Sequence, residues 1–363
     1  MCFVCKNEIK MIAALASLLL LLSPVSSAGA AAVPDSVVMT AQADDFIDSM
    51  PDGLQDSQAD AVTRAIGGDL SSLLAVRNFR NASPQYPECV EVTDLAPDLS
   101  AGRPSAMRLY RPAVAAGDGP LPVVVYLHGG GWAFGSLNSC AEFCASVAAT
   151  GRAIVLAVDY PLVPDHTLAD ALAASVAGIR YAVAHAGEWG SAPGLVSVAG
   201  DSAGGHLALL AAMKYDESGP QQPVNSIIAI YPVATLDVPD RKDAGYRDSS
   251  WRRYGRGYGL DSRLMSAFLD AALSTVDSAS REGYDPLKRL STDKSKLPPT
   301  LIISAERDIL LDQARSLAGA LAATGTDVRH EVYRGAVHLF ITVPGQPAAR
   351  ARAVNSLLNH IAP

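Results

Sequence analysis

The sequence predicts an α/β fold with a mostly parallel central sheet flanked by helices and carrying a helical cap. Two features of the chain carry this. Six short apolar runs recur from residue 121 onward, and Ala/Leu-rich helical stretches separate most of them. The runs are almost continuously hydrophobic instead of alternating, which is how strands read when both faces of a parallel sheet are covered. The chain has ample material for such a core, with 363 residues of which 49% are hydrophobic, and intrinsic disorder is excluded. A net charge of −8, with no dense block of Lys and Arg, argues against a nucleic-acid partner.

Taken in order, residues 1–32 read as a leader instead of as fold. Lys6 and Lys10 precede an apolar run from Met11 to Leu22, followed by Pro24 and a small-residue stretch through Ala32. The run would be roughly 18 Å long as a helix, too short for a hydrocarbon core of about 30 Å. A removable secretory signal is therefore expected, cut after Ala30 or Ala32, with an exported product and no stable membrane span afterwards. Cys2 and Cys5 would leave with it. Of the remaining cysteines, Cys140 and Cys144 lie one helical turn apart, close enough to bridge but poorly aimed, and Cys89 has no evident role.

Residues 33–103 are polar with short helical patterns, at Ala43–Met50 and Ala59–Phe79, and are assigned to a helical region contributing to the cap. From residue 104 to the end the chain reads as one sheet domain. Its expected strands are Leu121–Leu127, Ala153–Val158, Leu195–Ala199, Ile227–Tyr231, Thr300–Ser304 and Val328–Tyr333. About residues 234–285 no core strand is visible, and Ser262–Ala272 is amphipathic, so this interval is read as a cap insertion. In such sheets chemistry collects at the carboxyl edge, where strands end and loops begin.

Three of those strand ends carry reactive patterns. After Leu195–Ala199 stands Gly200-Asp201-Ser202-Ala203-Gly204, and a helical run follows at once. Flanking glycines permit a sharp strand-to-helix turn that lifts a hydroxyl above the sheet, which makes Ser202 a nucleophile candidate; an N-cap serine is the plainer alternative. Directly after Leu121–Leu127 comes His128-Gly129-Gly130-Gly131-Trp132, a rarer string. Bare main-chain amides there suit a developing oxyanion, and Gly129, Gly130 and Ala203 are the expected donors. A phosphate cradle would need a lysine that does not follow, and His128 is expected to brace the loop. Trp132 and Phe134 are candidates for lining a substrate pocket, or simply for packing.

A serine needs a base, and the base needs an orienting acid. Asp308 lies just beyond Thr300–Ser304, whereas Asp312 falls where a helix should start, so Asp308 is the preferred acid. Only His330, His338 and His360 follow it. His330 alternates within a strand and His360 ends the last helix, which leaves His338, on a loop beyond the turn at Gly335, as the base. His206 is expected to be satisfied within helix packing.

Together these segments resemble the hormone-sensitive-lipase-like branch of the α/β-hydrolases, over about residues 105–345. Val158 to His166 is similar to that family's D-Y-R-L-A-P-E-H segment, with Pro161, Val163 and Asp165 replacing Arg, Ala and Glu; the missing arginine removes an expected supporting salt bridge. Tyr284-Asp285-Pro286-Leu287 resembles the S-P-L element after the family's cap. The resemblance implies a carboxylic ester hydrolase with a small-molecule or carbohydrate ester substrate and no metal or cofactor. Short- to medium-chain acyl esters are the expected substrates. A carbohydrate deacetylase and a non-catalytic hydrolase-fold binding protein are the alternatives.

Overall fold

The computed structural model describes residues 34–362 except 101, 103, 218–223, 241, 243–244, 294 and 343–344. The leader expected at 1–32 lies outside the described residues. Three helices open the described chain, α1 (Asp35–Ser49), α2 (Leu54–Ile66) and α3 (Ser71–Arg80), followed by β1 (Val90–Leu95), β2 (Met107–Pro112) and β3 (Val123–Leu127). Then come α4 (Ala141–Ala149), β4 (Ile154–Val158), α5 (Leu168–His185), β5 (Val196–Asp201), α6 (Ala203–Glu217) and β6 (Ile227–Ile230). The insertion carries α7 (Ser250–Arg253) and α8 (Ser262–Ser274), and the chain closes with α9 (Pro286–Thr292), β7 (Thr300–Arg307), α10 (Leu311–Ala323), β8 (Val328–Val337) and α11 (Pro347–Ile361).

The eight strands form one sheet in the order β1-β2-β4-β3-β5-β6-β7-β8. β2 runs antiparallel to both β1 and β4, and the remaining pairs are parallel. Two apolar layers explain the unbroken strand hydrophobicity. On β3, Val123, Val125 and Leu127 face one core together with Leu168, Ile179 and Leu207, while Val124 and Tyr126 face a second core with Phe143, Leu357 and Ile361. Each side chain along the strand is therefore buried whichever way it points.

Three strands differ from what the sequence predicts. β1 and β2 escape prediction because they are antiparallel and carry charge among their apolar residues: Glu91 and Asp94 are exposed, and Arg108 and Arg111 are half-buried. The stretch 90–95 thus joins the sheet instead of the helical region. At the other edge β8 continues through Gly335 to Val337, so Gly335 is an irregularity inside a strand and not the turn that ends it.

The amino-terminal helices touch both the interval between β6 and β7 and the sheet itself. α2 lies against α8, with Ala59, Val62 and Ala65 sharing a core with Leu264, Phe268 and Leu269. Arg263 pairs with Asp56 and Asp60, Arg256 with Asp56, and the Asp261 amide donates to Gln55 Oε1. Among the described residues, 234–285 hold no strand. α1 lies along β8, where Ala43 and Phe46 meet Val337.

Candidate active site

The turn after β5 places Ser202. Its φ is +54°, a strained value for a residue with a side chain, and the geometry of the turn explains the glycines two positions to either side, Gly200 and Gly204. A Cβ on Gly200 would lie 2.3 Å from the Gly204 carbonyl oxygen, and one on Gly204 only 2.0 Å from that of Leu127. Ser202 N–H donates to the Ile230 carbonyl, and its own carbonyl accepts from His206 and Val233, so main-chain bonds from β6 and α6 hold the turn. Trp132, Tyr231 and Leu339 also have positive φ. Of these, Tyr231 packs its ring on His338 and Leu339 follows His338 directly, so strained backbone accompanies the reactive residues.

Ser202 Oγ lies 3.1 Å from His338 Nε2, and His338 Nδ1 lies 2.6 Å from Asp308 Oδ2. The chain thus brings together three side chains separated by 106 and 30 positions (308 − 202 and 338 − 308). Asp308 Oδ1 accepts the Leu310 amide, which fixes the carboxylate. The serine is 5% exposed, and the histidine and aspartate 1% each. Asp312 stands apart, accepting from the Ser250 amide at 2.7 Å. His330 bonds Ser304 Oγ at 2.9 Å.

The register of β7 and β8 is what aligns acid with base. Ala305 pairs with Tyr333, but Arg307 pairs with Val337, so β8 spends two extra residues there. The next residues along the two strands are then Asp308 and His338. In an unbroken ladder Asp308 would stand beside Ala336. Arg307 donates through Nε and Nη2 to the Gly335 carbonyl, and Glu306 accepts the Gly335 amide, so the irregularity is held from the neighbouring strand.

The glycine loop after β3 corrects one expectation. The Gly129 N–H donates to Asp201 Oδ1 at 2.9 Å, so it is not available to a substrate oxygen. The amides of Gly130, Gly131 and Ala203 donate to no acceptor among the described residues. Phe268 of α8 covers this loop: a Cβ on Gly131, whose φ is +60°, would fall 2.1 Å from its ring. His128 braces the loop as expected, with Nδ1 bonded to the Gly129 carbonyl and its ring stacked on Tyr160, whose hydroxyl donates to the His128 carbonyl.

Trp132 and Phe134 are fully buried and committed to packing. Trp132 Nε1 donates to His206 Nδ1 at 3.2 Å, and Phe134 meets Phe268 edge to face, ring centres 5.1 Å apart. His206 in turn donates from Nε2 to the Tyr284 carbonyl. Burial depresses its pKa to about 4, which keeps it neutral. Asp285 caps α9 through the Lys288 amide and binds the Leu236 amide.

The salt bridge expected to be missing from the 158–166 segment is supplied from elsewhere. Arg77 of α3 makes a two-pronged pair with Asp165 at 2.8 and 2.9 Å, and donates to the carbonyls of Ala133 and Val163. Asp201, Tyr231, Gly131 and Phe268 also stand at the site, and no local sequence pattern marks their roles. Cys140 and Cys144 are buried free thiols. Among the described residues no cluster of three or more His, Cys, Asp or Glu side chains could hold a metal, and no helix is long and apolar enough to cross a membrane.

A family model described as the alpha/beta hydrolase fold matches residues 124–342. The chain belongs to the hormone-sensitive-lipase-like α/β-hydrolases. It is 34% identical to the carboxylic ester hydrolase LipN of Mycobacterium tuberculosis over 82% of this chain and 78% of that protein. It is 30% identical to the versiconal hemiacetal acetate esterase of Dothistroma septosporum, over 75% and 81% of the two chains. Among solved structures it superposes on an esterase of Pyrobaculum calidifontis with a TM-score of 0.64 and 29% identity, covering 83% of this chain and 92% of that one. This hydrolase is accordingly an enzyme of the carboxylic ester hydrolase class.

Proposed function

We propose that this protein is an exported serine esterase that cleaves short- to medium-chain acyl esters through an acyl-enzyme formed on Ser202. The observation that carries the reading is the continuous chain of contacts from Ser202 Oγ through His338 to Asp308, next to three unspent main-chain amides. His338 Nε2 takes the Ser202 proton as Oγ bonds to the ester carbonyl carbon, and Asp308 accepts from Nδ1–H and balances the imidazolium. The carbonyl oxygen becomes an oxyanion facing the amides of Gly130, Gly131 and Ala203. Collapse breaks the bond to the alcohol oxygen, which receives the proton from His338. Water then repeats the sequence, frees the acid and restores the serine.

The preference for short chains is supported by the near closure of the site, with Ser202 5% exposed and Phe268 laid over the glycine loop. It is also in keeping with an acetate esterase among the relatives. Helices α1–α3 and α8 form the cap that would admit and enclose such a substrate. Export rests on the leader pattern at residues 1–32.

A series of aryl esters from acetate to palmitate tests the reading. Turnover should be highest among the acetate to hexanoate esters and lost in Ser202→Ala. Preference for palmitate would overturn the chain-length proposal, and preference for acetylated xylan over every aryl ester would reassign the enzyme to carbohydrate deacetylation. Turnover retained by Ser202→Ala would remove the nucleophile.

A further inference from the structure

We propose that Asp201 is a positioning residue, whose buried carboxylate pins the glycine loop to the nucleophile turn so that the loop's next two amides stay aimed above Ser202. The inference rests on Ser202 being the nucleophile and the loop being its oxyanion hole. Asp201 is the last residue of β5, directly before Ser202, and is 1% exposed. Its Oδ1 accepts both the Gly129 N–H and the Tyr126 hydroxyl at 2.9 Å. Its Oδ2 fills the space a Cβ on Gly129 would need, 2.3 Å away, and faces the Tyr231 hydroxyl at 3.5 Å.

This carboxylate has no cationic partner within ion-pair distance among the described residues. Burying it costs stability that an apolar side chain would not, so packing alone gives no reason for an acid here. Burial pushes its pKa up, and the Tyr126 and Gly129 donors oppose that shift. The spent amide of Gly129 and the unspent amides of Gly130 and Gly131 are consecutive. Each peptide is planar, so anchoring the Gly129 N–H fixes the plane from which the next two are hung. On its other side the carboxylate meets Tyr231, whose ring packs on the His338 imidazole with centres 4.5 Å apart. One buried side chain thus touches the oxyanion loop and the ring that supports the base.

The test uses Asp201→Asn, Asp201→Ala and Tyr126→Phe in the full chain, with p-nitrophenyl acetate as substrate and an aryl trifluoromethyl ketone as probe. The ketone binds by accepting the serine oxygen and forming an oxyanion in the same cradle. Asp201→Ala should lower kcat about 30- to 300-fold with KM changed less than about threefold, and weaken the ketone in step with kcat. Asp201→Asn keeps an acceptor but loses its charge, so kcat and ketone affinity should both fall about 3- to 10-fold. Tyr126→Phe, which leaves the Gly129 bond intact, should stay within about threefold of wild type. If Asp201→Ala does not fold, Asp201→Asn decides alone. Wild-type kcat in Asp201→Asn, a loss confined to KM, or a fall in kcat without a fall in ketone affinity overturns the proposal. If Ser202→Ala is inactive while Asp201→Asn matches wild type, only this inference fails; if Ser202→Ala remains active, the reading beneath it fails.

Discussion

His206 shows how much a single side chain's surroundings decide. It sits one turn past the nucleophile and has the right chemistry for a base, yet the Trp132 indole donates to one ring nitrogen and the Tyr284 carbonyl accepts from the other. Burial lowers its pKa from 6.5 to about 4. A histidine whose folded pKa is depressed leaves stability unchanged above the unfolded value and costs stability as pH falls below about 6.5, levelling off near 4; the full cost is about 3 kcal/mol. Half-buried His330 and His360 shift in the same direction. We predict that denaturant unfolding at a series of pH values shows a steep loss between 6.5 and 4, and that His206→Gln flattens it; an unchanged slope would contradict the assignment. At the reacting group itself, Ser202→Ala should lower kcat about 10⁴- to 10⁶-fold, read with p-nitrophenyl acetate. The residues that do this work were legible because the chemistry needs particular side chains in a fixed chain order. Gly129 was misassigned because only the fold reveals that its amide is already taken by Asp201.

At the scale of elements, the pairing of β7 with β8 sets the acid against the base. Arg307 ties to the Gly335 carbonyl and to Asp44 of α1, and Gly335 has φ +82° with Thr40 pressed against it. Gly335→Ala should therefore destabilise the protein by about 1–3 kcal/mol and lower kcat, because a Cβ would lie 2.0 Å from Thr40 Oγ1. Arg307→Met should lower kcat about tenfold with KM little changed, by letting Asp308 and His338 slip. Urea unfolding and steady-state kinetics check the pair, and wild-type kcat in both would refute the register argument. Strands β3 to β7 were legible from continuous hydrophobicity, which marks two-sided burial, and β8, at the sheet's edge, from a more mixed run. β1 and β2 were not, since charged residues interrupt their apolar ones, and neither was the irregularity at Gly335, which a glycine signals only as a break.

For the whole molecule, the amino-terminal helices are fastened to the catalytic loops at separate points. Arg77 joins α3 to the Asp165 carboxylate and to the carbonyls of Ala133 and Val163, and it is largely buried. Arg77→Met would leave the carbonyls of Ala133 and Val163 without this donor, whereas the exposed Asp165 carboxylate would turn to water, at a cost of about 1–3 kcal/mol measurable by urea unfolding. The exposed pairs of Arg256 and Arg263 with Asp56 and Asp60 should contribute less than about 1 kcal/mol together and weaken in salt. Helical patterns at Ala59–Phe79 and Ser262–Ala272 were legible and helices stand there, but the partner of Asp165 lies 88 positions away and no local signal connects them. If the chain is exported, the mature protein should begin after Ala30 or Ala32 by mass spectrometry; retention of Met11–Leu22 would argue against removal. The central claim is that Ser202 is the nucleophile made reactive by His338 and Asp308. Labelling with a fluorophosphonate followed by peptide mapping addresses it directly: one adduct on the peptide containing Ser202, abolished in His338→Gln, is predicted, whereas no adduct, or an adduct on any other residue, would contradict it.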